Sequence, residues 1–233
     1  MRSIPDNLQA VKGRIAEAAR AAGRDPAAVV LLAVSKTHPP ALIDEAFGAG
    51  QRAFGENYVQ EALDKMSALA RLPIEWHLVG PLQSNKTRAV AERFQWVHTV
   101  DREKIARRLS AQRPEALPPL DVLLQVNVSG EASKSGVAPR EVAALAKAVA
   151  ALPKLRLRGL MAVPEPTGDE GQQRARFREL RELYESLKRA GLALDTLSMG
   201  MTADMQAAIA EGSTMVRIGT AIFGQRQRVR DAA

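Results

Sequence analysis

Lys36 is the residue best placed to do covalent chemistry. It follows Val29-Val30-Leu31-Leu32-Ala33-Val34, an apolar run that reads as a strand buried on both faces, so its stem emerges from a core segment. A lysine held against apolar surroundings loses the hydration that favours the ammonium form. Its neutral amine is then available to attack a carbonyl. The alternative is a strand-end lysine whose stem covers apolar surface while its charge reaches solvent. Position alone leaves both readings open.

Two later segments have the ingredients of phosphate cradles. Ser198-Met199-Gly200-Met201-Thr202 supplies a hydroxyl, a glycine permitting close backbone approach, and Thr202 as a candidate helix cap ahead of Asp204. Gly219-Thr220 offers the same near the C-terminal end. Each alone also fits an ordinary turn or cap. Together with Lys36 they describe an amine on one side of a site and a phosphate cradle on the other, which is what pyridoxal 5′-phosphate (PLP) requires. Arg217 lies between Val216 and Ile218. If it points inward it faces the pyridine nitrogen of that cofactor, keeps it unprotonated and weakens the ring as an electron sink. Otherwise it pairs with a carboxylate across the fold. His38, His77 and His98 have no Asp, Glu or His at ligand spacing, so no metal site is expected. The polar loop 129–136 is either a lid or a solvated connection, and its residue order is not that of a nucleotide P-loop.

The elements that must position these residues are legible as an alternation. Leu8, Val11, Ile15 and Ala18/Ala19/Ala22 recur at helical spacing, which predicts an amphipathic leading helix over 6–22 stopped by Gly23. Strands are then predicted at 29–34, 51–55, 74–79, 96–100, 120–128, 155–161, 196–199 and 214–219. Helices are predicted between them at 40–48, 56–71, 84–94, 101–113, 139–151, 170–190 and 202–211, with a terminal helical or turn segment. Short apolar strands alternating with helices argue an α/β fold with a parallel sheet. Eight such units in 233 residues predict a single (β/α)8 TIM-type barrel with an extra N-terminal helix, one domain over 1–233. An open doubly wound sheet would instead place a glycine-rich dinucleotide loop after the first strand, where Ser35-Lys36-Thr37-His38 stands. In a barrel the functional side chains collect at the C-terminal strand ends. That places Lys36, Asn57, His77, His98, Asn127, Met161, Ser198 and Arg217 at or near one mouth.

Composition excludes several classes. There is no cysteine, so disulfides and thiolate metal sites are impossible. Asp6, Lys12, Arg14 and Glu17 interrupt the first twenty residues, so no signal-peptide core is expected there, and no apolar run is long enough for a membrane span. The expected location is the cytoplasm. The net charge of +7 raises a nucleic-acid partner, but the basic residues are spread over most helices and aromatics are only 4%. The dense run from Arg226 to Arg230 reads as a solvated tail. Neither nucleic acid nor membrane is expected as a partner.

Longer motifs carry a family resemblance. Leu32-Ala33-Val34-Ser35-Lys36-Thr37, Phe54-Gly55-Glu56-Asn57-Tyr58-Val59-Gln60-Glu61 and Trp76-His77-Leu78-Val79-Gly80-Pro81-Leu82-Gln83-Ser84-Asn85-Lys86 come first. Gln125-Val126-Asn127-Val128, Gly159-Leu160-Met161, Leu197-Ser198-Met199-Gly200-Met201 and Val216-Arg217-Ile218-Gly219-Thr220-Ala221-Ile222-Phe223-Gly224 follow in order. In these segments the chain resembles the PLP homeostasis proteins, also called the proline synthetase co-transcribed bacterial homologue family, which look like the barrel domain of alanine racemase standing alone. The resemblance implies an internal aldimine (Schiff base) of PLP on Lys36. It implies phosphate binding by Ser198, Gly219 and Thr220, Arg217 opposite the pyridine nitrogen, and Asn57, His77 and Met199 lining the pocket. It further implies a role in supplying or buffering PLP and in amino-acid and keto-acid balance, with apo PLP enzymes as recipients.

A PLP-dependent racemase is the competing reading. Racemisation needs bases on opposite faces of the substrate adduct, and alanine racemase takes one of them from a second, β-rich domain. The sequence ends at Ala233, soon after Gly224, which leaves no room for that domain. Tyr58 and Tyr184 fall in predicted helices, and Tyr184 joins an apolar stripe. The expectation is therefore a carrier, not an enzyme, and a monomer. A Schiff-base aldolase using Lys36 without a cofactor phosphate is a third reading.

Overall fold

The computed structural model describes residues 3–129 and 135–225. Its strands are β1 (Val30–Val34), β2 (Ala53–Glu56), β3 (Glu75–Leu78), β4 (Trp96–Val100), β5 (Leu120–Gln125), β6 (Leu155–Met161), β7 (Thr196–Ser198) and β8 (Met215–Ile218). They close into a barrel in chain order, every neighbouring pair parallel and β8 returning to β1. The helices are α1 (Ile4–Ala21), α2 (Pro40–Gly48), α3 (Val59–Ala68), α4 (Thr87–Arg93), α5 (Glu103–Gln112), α6 (Val142–Ala150), α7 (Glu170–Arg189), α8 (Met205–Ala210) and α9 (Thr220–Phe223). The expected TIM-type barrel with its leading helix is the fold observed.

Strand alternation divides the core in two. Leu31, Ala33, Phe54, Leu78, Val97 and Val216 face the helices and join the main hydrophobic cluster. Residues of the opposite parity fill the barrel interior, where Leu32, Ala53 and Met215 form one small cluster and Trp96, Leu123 and Met161 another. That same parity carries His77, His98, Ser198 and Arg217 inward.

Several boundaries differ from the pattern, each for a local reason. α1 begins at Ile4 because Ser3 caps it: the Ser3 hydroxyl accepts from the Asp6 N–H and the Asp6 carboxylate accepts from the Ser3 N–H. The helix predicted over 56–71 is shorter, because Glu56 is the last residue of β2, opposite Leu78. The helices predicted from 84 and from 139 each open with a 3-10 turn, Ser84–Lys86 and Pro139–Glu141. β5 ends at Gln125 and continues only as a single bridge between Val126 and Val137. α8 starts at Met205 with Thr202 outside it, and the Asp204 carboxylate turns back to accept the Met201 N–H at 2.6 Å. Thr202 is thus not the helix cap. Residues 130–134 of the polar loop and the 226–230 basic run lie outside the described residues.

α1 braces the C-terminal strand-end segments. It packs on α8 and α9, burying Leu8, Val11 and Ile15. Asn7 Nδ2 donates to the Ile222 carbonyl at 2.9 Å and Arg14 Nη2 to the Thr202 carbonyl at 3.4 Å. Among the described residues, no helix is long and apolar enough to cross a membrane.

Candidate functional site

A cavity of about 390 Å³ opens where β1, β2 and β8 end, and Lys36, Asn57, Arg217, Gly219 and Thr220 all line it. Met201, Thr202 and Ala203 form another part of its wall, Val34, Val79 and Val163 supply apolar surface, and His38 completes the Lys36 side. A comparable cavity of about 350 Å³ lies at the far ends of β1 and β2, but its lining is mostly apolar and brings no acid–base group to the barrel interior.

Lys36 sits in a turn that is held from below. The His38 N–H donates to the Ser35 carbonyl at 3.1 Å. Ser35 Oγ donates to Glu56 Oε1 at 2.6 Å. Lys65 Nζ donates to the Ser35 carbonyl at 2.8 Å, to Glu56 Oε1 at 2.7 Å and to Glu61 Oε1 at 2.6 Å. Glu61 Oε1 also accepts the Thr37 N–H at 2.6 Å. The residues on both sides of Lys36 are therefore tied to one buried ionic cluster. That clamp holds Thr37 at φ +64°, a left-handed conformation costing a non-glycine residue about 1–2 kcal/mol. Burial pushes the Glu56 carboxyl up, against the opposing pull of Lys65, and its Oε2 is buried with no hydrogen-bond partner.

Arg217 points inward from β8. Its Nη1 donates to the Ser198 carbonyl and to Ser198 Oγ, both at 2.7 Å, and its Nη2 donates to the Ala162 carbonyl at 2.8 Å. These acceptors are neutral, so the across-barrel carboxylate pairing is not what holds it. Burial lowers the guanidinium to about 10, which still leaves it a cation at neutral pH. Beneath it, His98 Nδ1 lies 3.0 Å from Ser198 Oγ, His98 Nε2 lies 2.9 Å from His77 Nδ1, and His77 Nε2 lies 2.8 Å from Glu75 Oε1. His77 also stacks on Trp96 with ring centres 5.2 Å apart.

Gly219 brings two backbones together. A Cβ there would stand 2.9 Å from the Val34 carbonyl oxygen, so a side chain would push β1 and its cavity wall away. Gly200 has φ +95°, and a Cβ would meet the Ala208 Cβ at 2.5 Å, which lets the chain turn tightly from β7 toward α8.

The structure thus gathers Lys36, Asn57, Arg217, Gly219 and Thr220 around one space. It places the other three candidates elsewhere. Ser198 is fully buried below the cavity, its hydroxyl taken by Arg217 and His98. His77 is deep in the barrel between Glu75 and His98. Met199 is fully buried in the main hydrophobic cluster, on the parity that faces the helices. Pattern reasoning passed over Lys65, Glu61 and Glu75. The i,i+4 spacing of Glu61 and Lys65 was a visible signal for the first two. Among the described residues, no group of three or more His, Asp or Glu is arranged to hold a metal ion.

The sequence has close relatives. The family profile of the alanine racemase N-terminal domain matches residues 7–227. A pyridoxal phosphate homeostasis protein of Pseudomonas aeruginosa is 65% identical over 97% of this chain and 97% of its own. The protein belongs to the pyridoxal phosphate homeostasis family. Another homeostasis-family member, from Escherichia coli K12, is 55% identical over 97% of this chain and 98% of its own. PipY of Synechococcus elongatus, solved with PLP bound, superposes with a TM-score of 0.84 at 37% identity, covering 95% of this chain and all of that one. An alanine racemase of Clostridium difficile has a TM-score of 0.78 at 12% identity, over 94% of this chain and 57% of that one, a likeness of fold.

Proposed function

We propose that this protein binds PLP covalently through Lys36 and acts in cofactor homeostasis as a carrier, not as a catalyst. The observation that carries the reading is a single cavity joining the Lys36 amine, the Arg217 cation and the strand-end backbone at 201–203 and 219–220. The donor set suits a phosphorylated pyridine aldehyde: an amine for the carbonyl, a fixed cation for the ring nitrogen, and a backbone cradle whose close approach at Gly219 a Cβ would spoil. A volume of about 390 Å³ lies in the range of small-molecule sites. The PLP-bound PipY relative supports the same cofactor.

When bound, PLP supplies an aldehyde that condenses with amines and a ring that draws electrons from bonds at the attached carbon. The chain's own residues then have separable tasks. The Glu56–Lys65–Glu61 cluster fixes the turn that aims Lys36. Val34, Val79 and Val163 would give the ring an apolar wall and exclude water. Gly219, Thr220 and the 201–203 segment would take the phosphate, while Asn57 lines the cavity wall. Arg217 offers only N–H donors and no acceptor atom, so a ring nitrogen facing it would be held unprotonated. That restrains carbanion chemistry and favours holding the cofactor over turnover.

We place this carrier in the cytoplasm as a monomer built of one domain over 1–233, handing PLP to apo-enzymes. The test is absorbance and exchange. The purified protein plus PLP should turn yellow, and Lys36→Ala should not. Incubation with L-alanine in heavy water should give no sustained α-deuteration, whereas steady D-alanine formation would make it a racemase.

A further inference from the structure

Arg217 is the last member of a file of hydrogen-bonding side chains that runs down the barrel interior. The file passes through Ser198, His98 and His77 and ends on Glu75. All except Glu75 are buried. Glu75 opens β3, at the opposite mouth from the cavity, and its side chain is 49% exposed.

The chemistry of the two ends assigns every proton between them. The Glu75 carboxyl is held low, first by its hydrogen bond from His77, so it is an acceptor and His77 Nε2 carries a proton. Burial keeps His77 and His98 neutral, which leaves His77 Nδ1 bare. His98 Nε2, 2.9 Å away, must then donate, because two bare ring nitrogens would repel at that distance. His98 Nδ1 is therefore an acceptor, and Ser198 donates to it. From the other end, Arg217 can only donate, so Ser198 Oγ accepts from Nη1 and keeps its own hydrogen available for His98. The Glu75 end sets the direction, and the Arg217 end is compatible with it. A reversal at any link would leave a donor facing a donor or a lone pair facing a lone pair, in a dry interior where neither finds water.

We propose that Glu75, His77, His98 and Ser198 are positioning residues, a one-directional relay that presents the Arg217 guanidinium to the cavity in a fixed orientation and so fixes the acceptor character of the ring nitrogen bound against it. The final clause rests on the PLP reading; the relay does not. Ser198 holds Arg217 through two of its oxygens, so the relay meets the cation where a small rotation would withdraw it from the cavity. Glu75, remote from the cofactor, thereby becomes part of the binding site's electrostatics.

The experiment uses the full chain in two arms. In the first, without cofactor, long-range ¹H–¹⁵N spectra should show both His77 and His98 as neutral Nε2–H tautomers. Glu75→Gln keeps an acceptor oxygen and should preserve this pattern, whereas Glu75→Ala should leave His77 a mixture of tautomers. An Nδ1–H tautomer or an imidazolium at either histidine in the native protein overturns the relay. In the second arm, Ser198→Ala should still give a borohydride-trapped lysine adduct with PLP but release the cofactor about tenfold faster, with a shifted absorbance band, as loss of a hydrogen bond to a charged group predicts. His98→Phe should behave likewise, and Glu75→Ala reads the same chain from its exposed end if His98→Phe does not fold. Unchanged release and spectra in Ser198→Ala and Glu75→Ala overturn the proposal. Absence of any adduct in the native protein sinks the cofactor reading instead, and the first arm still judges the relay.

Discussion

Replacing Lys65 by methionine should destabilise the protein by about 3–5 kcal/mol near pH 7. The lysine side chain is 4% exposed and its ammonium touches the Ser35 carbonyl, Glu56 and Glu61. Methionine fills nearly the same volume, so little of the cost comes from a cavity. The cost is electrostatic. Glu61 is 27% exposed and can turn to water, but Glu56 is fully buried and would keep only the Ser35 hydroxyl. Burial already raises the Glu56 carboxyl, and removing Lys65 raises it further. The folded state then binds that proton more tightly than the unfolded chain, so stability falls as pH rises through the interval between the unfolded and folded values. The penalty should accordingly shrink at a more acidic pH, as Glu56 takes up a proton. Urea unfolding followed by circular dichroism at both pH values measures it. The double variant Lys65→Met, Glu56→Gln should recover much of the loss, because the unpaired charge is gone. A cost below about 1 kcal/mol near pH 7, or an equal cost at both pH values, would refute the reasoning.

Three further outcomes follow from particular contacts. Gly219→Ala should weaken PLP retention about tenfold in equilibrium dialysis, because the new Cβ, 2.9 Å from the Val34 carbonyl, displaces the β1 wall two residues before Lys36. Lys154→Gly should raise Tm by about 2 °C in calorimetry, since Lys154 holds φ +64° and its ion pair is with Glu115, an exposed carboxylate. In a Tyr58→Phe background the phenol of Tyr184 should titrate at about 12 by ultraviolet absorbance, raised chiefly by burial on the inner face of α7.

The barrel was legible because parallel strands buried on both faces read as short apolar runs, as at 29–34 and at 122–124 after Asp121. Lys36, Arg217 and Gly219-Thr220 could be picked out because strand-end position alone places them at one mouth. The support beneath them was not legible. Lys65 looks like a solvent residue of an amphipathic helix, and only the closure of β1 on β2 brings Ser35 above it. His77 and His98 meet across β3 and β4, 21 residues apart in sequence, so their spacing resembles no motif. One signal was present. Glu75 and His77 share a strand parity in β3, and Trp96 and His98 share one in β4, so polar residues occur where a barrel interior should be apolar. Ser198 drew attention as a hydroxyl two residues before Gly200, but three residues of β7 are too short for the pattern to say which face it takes.

The central claim is that Lys36 is the lysine that holds PLP. Borohydride reduction of the native protein mixed with one equivalent of PLP, followed by peptide mass mapping, tests it most directly. One phosphopyridoxyl group on the peptide containing Lys36, absent from Lys36→Ala, is the predicted result. Label spread over exposed lysines such as Lys12, with Lys36 unmodified, would contradict it.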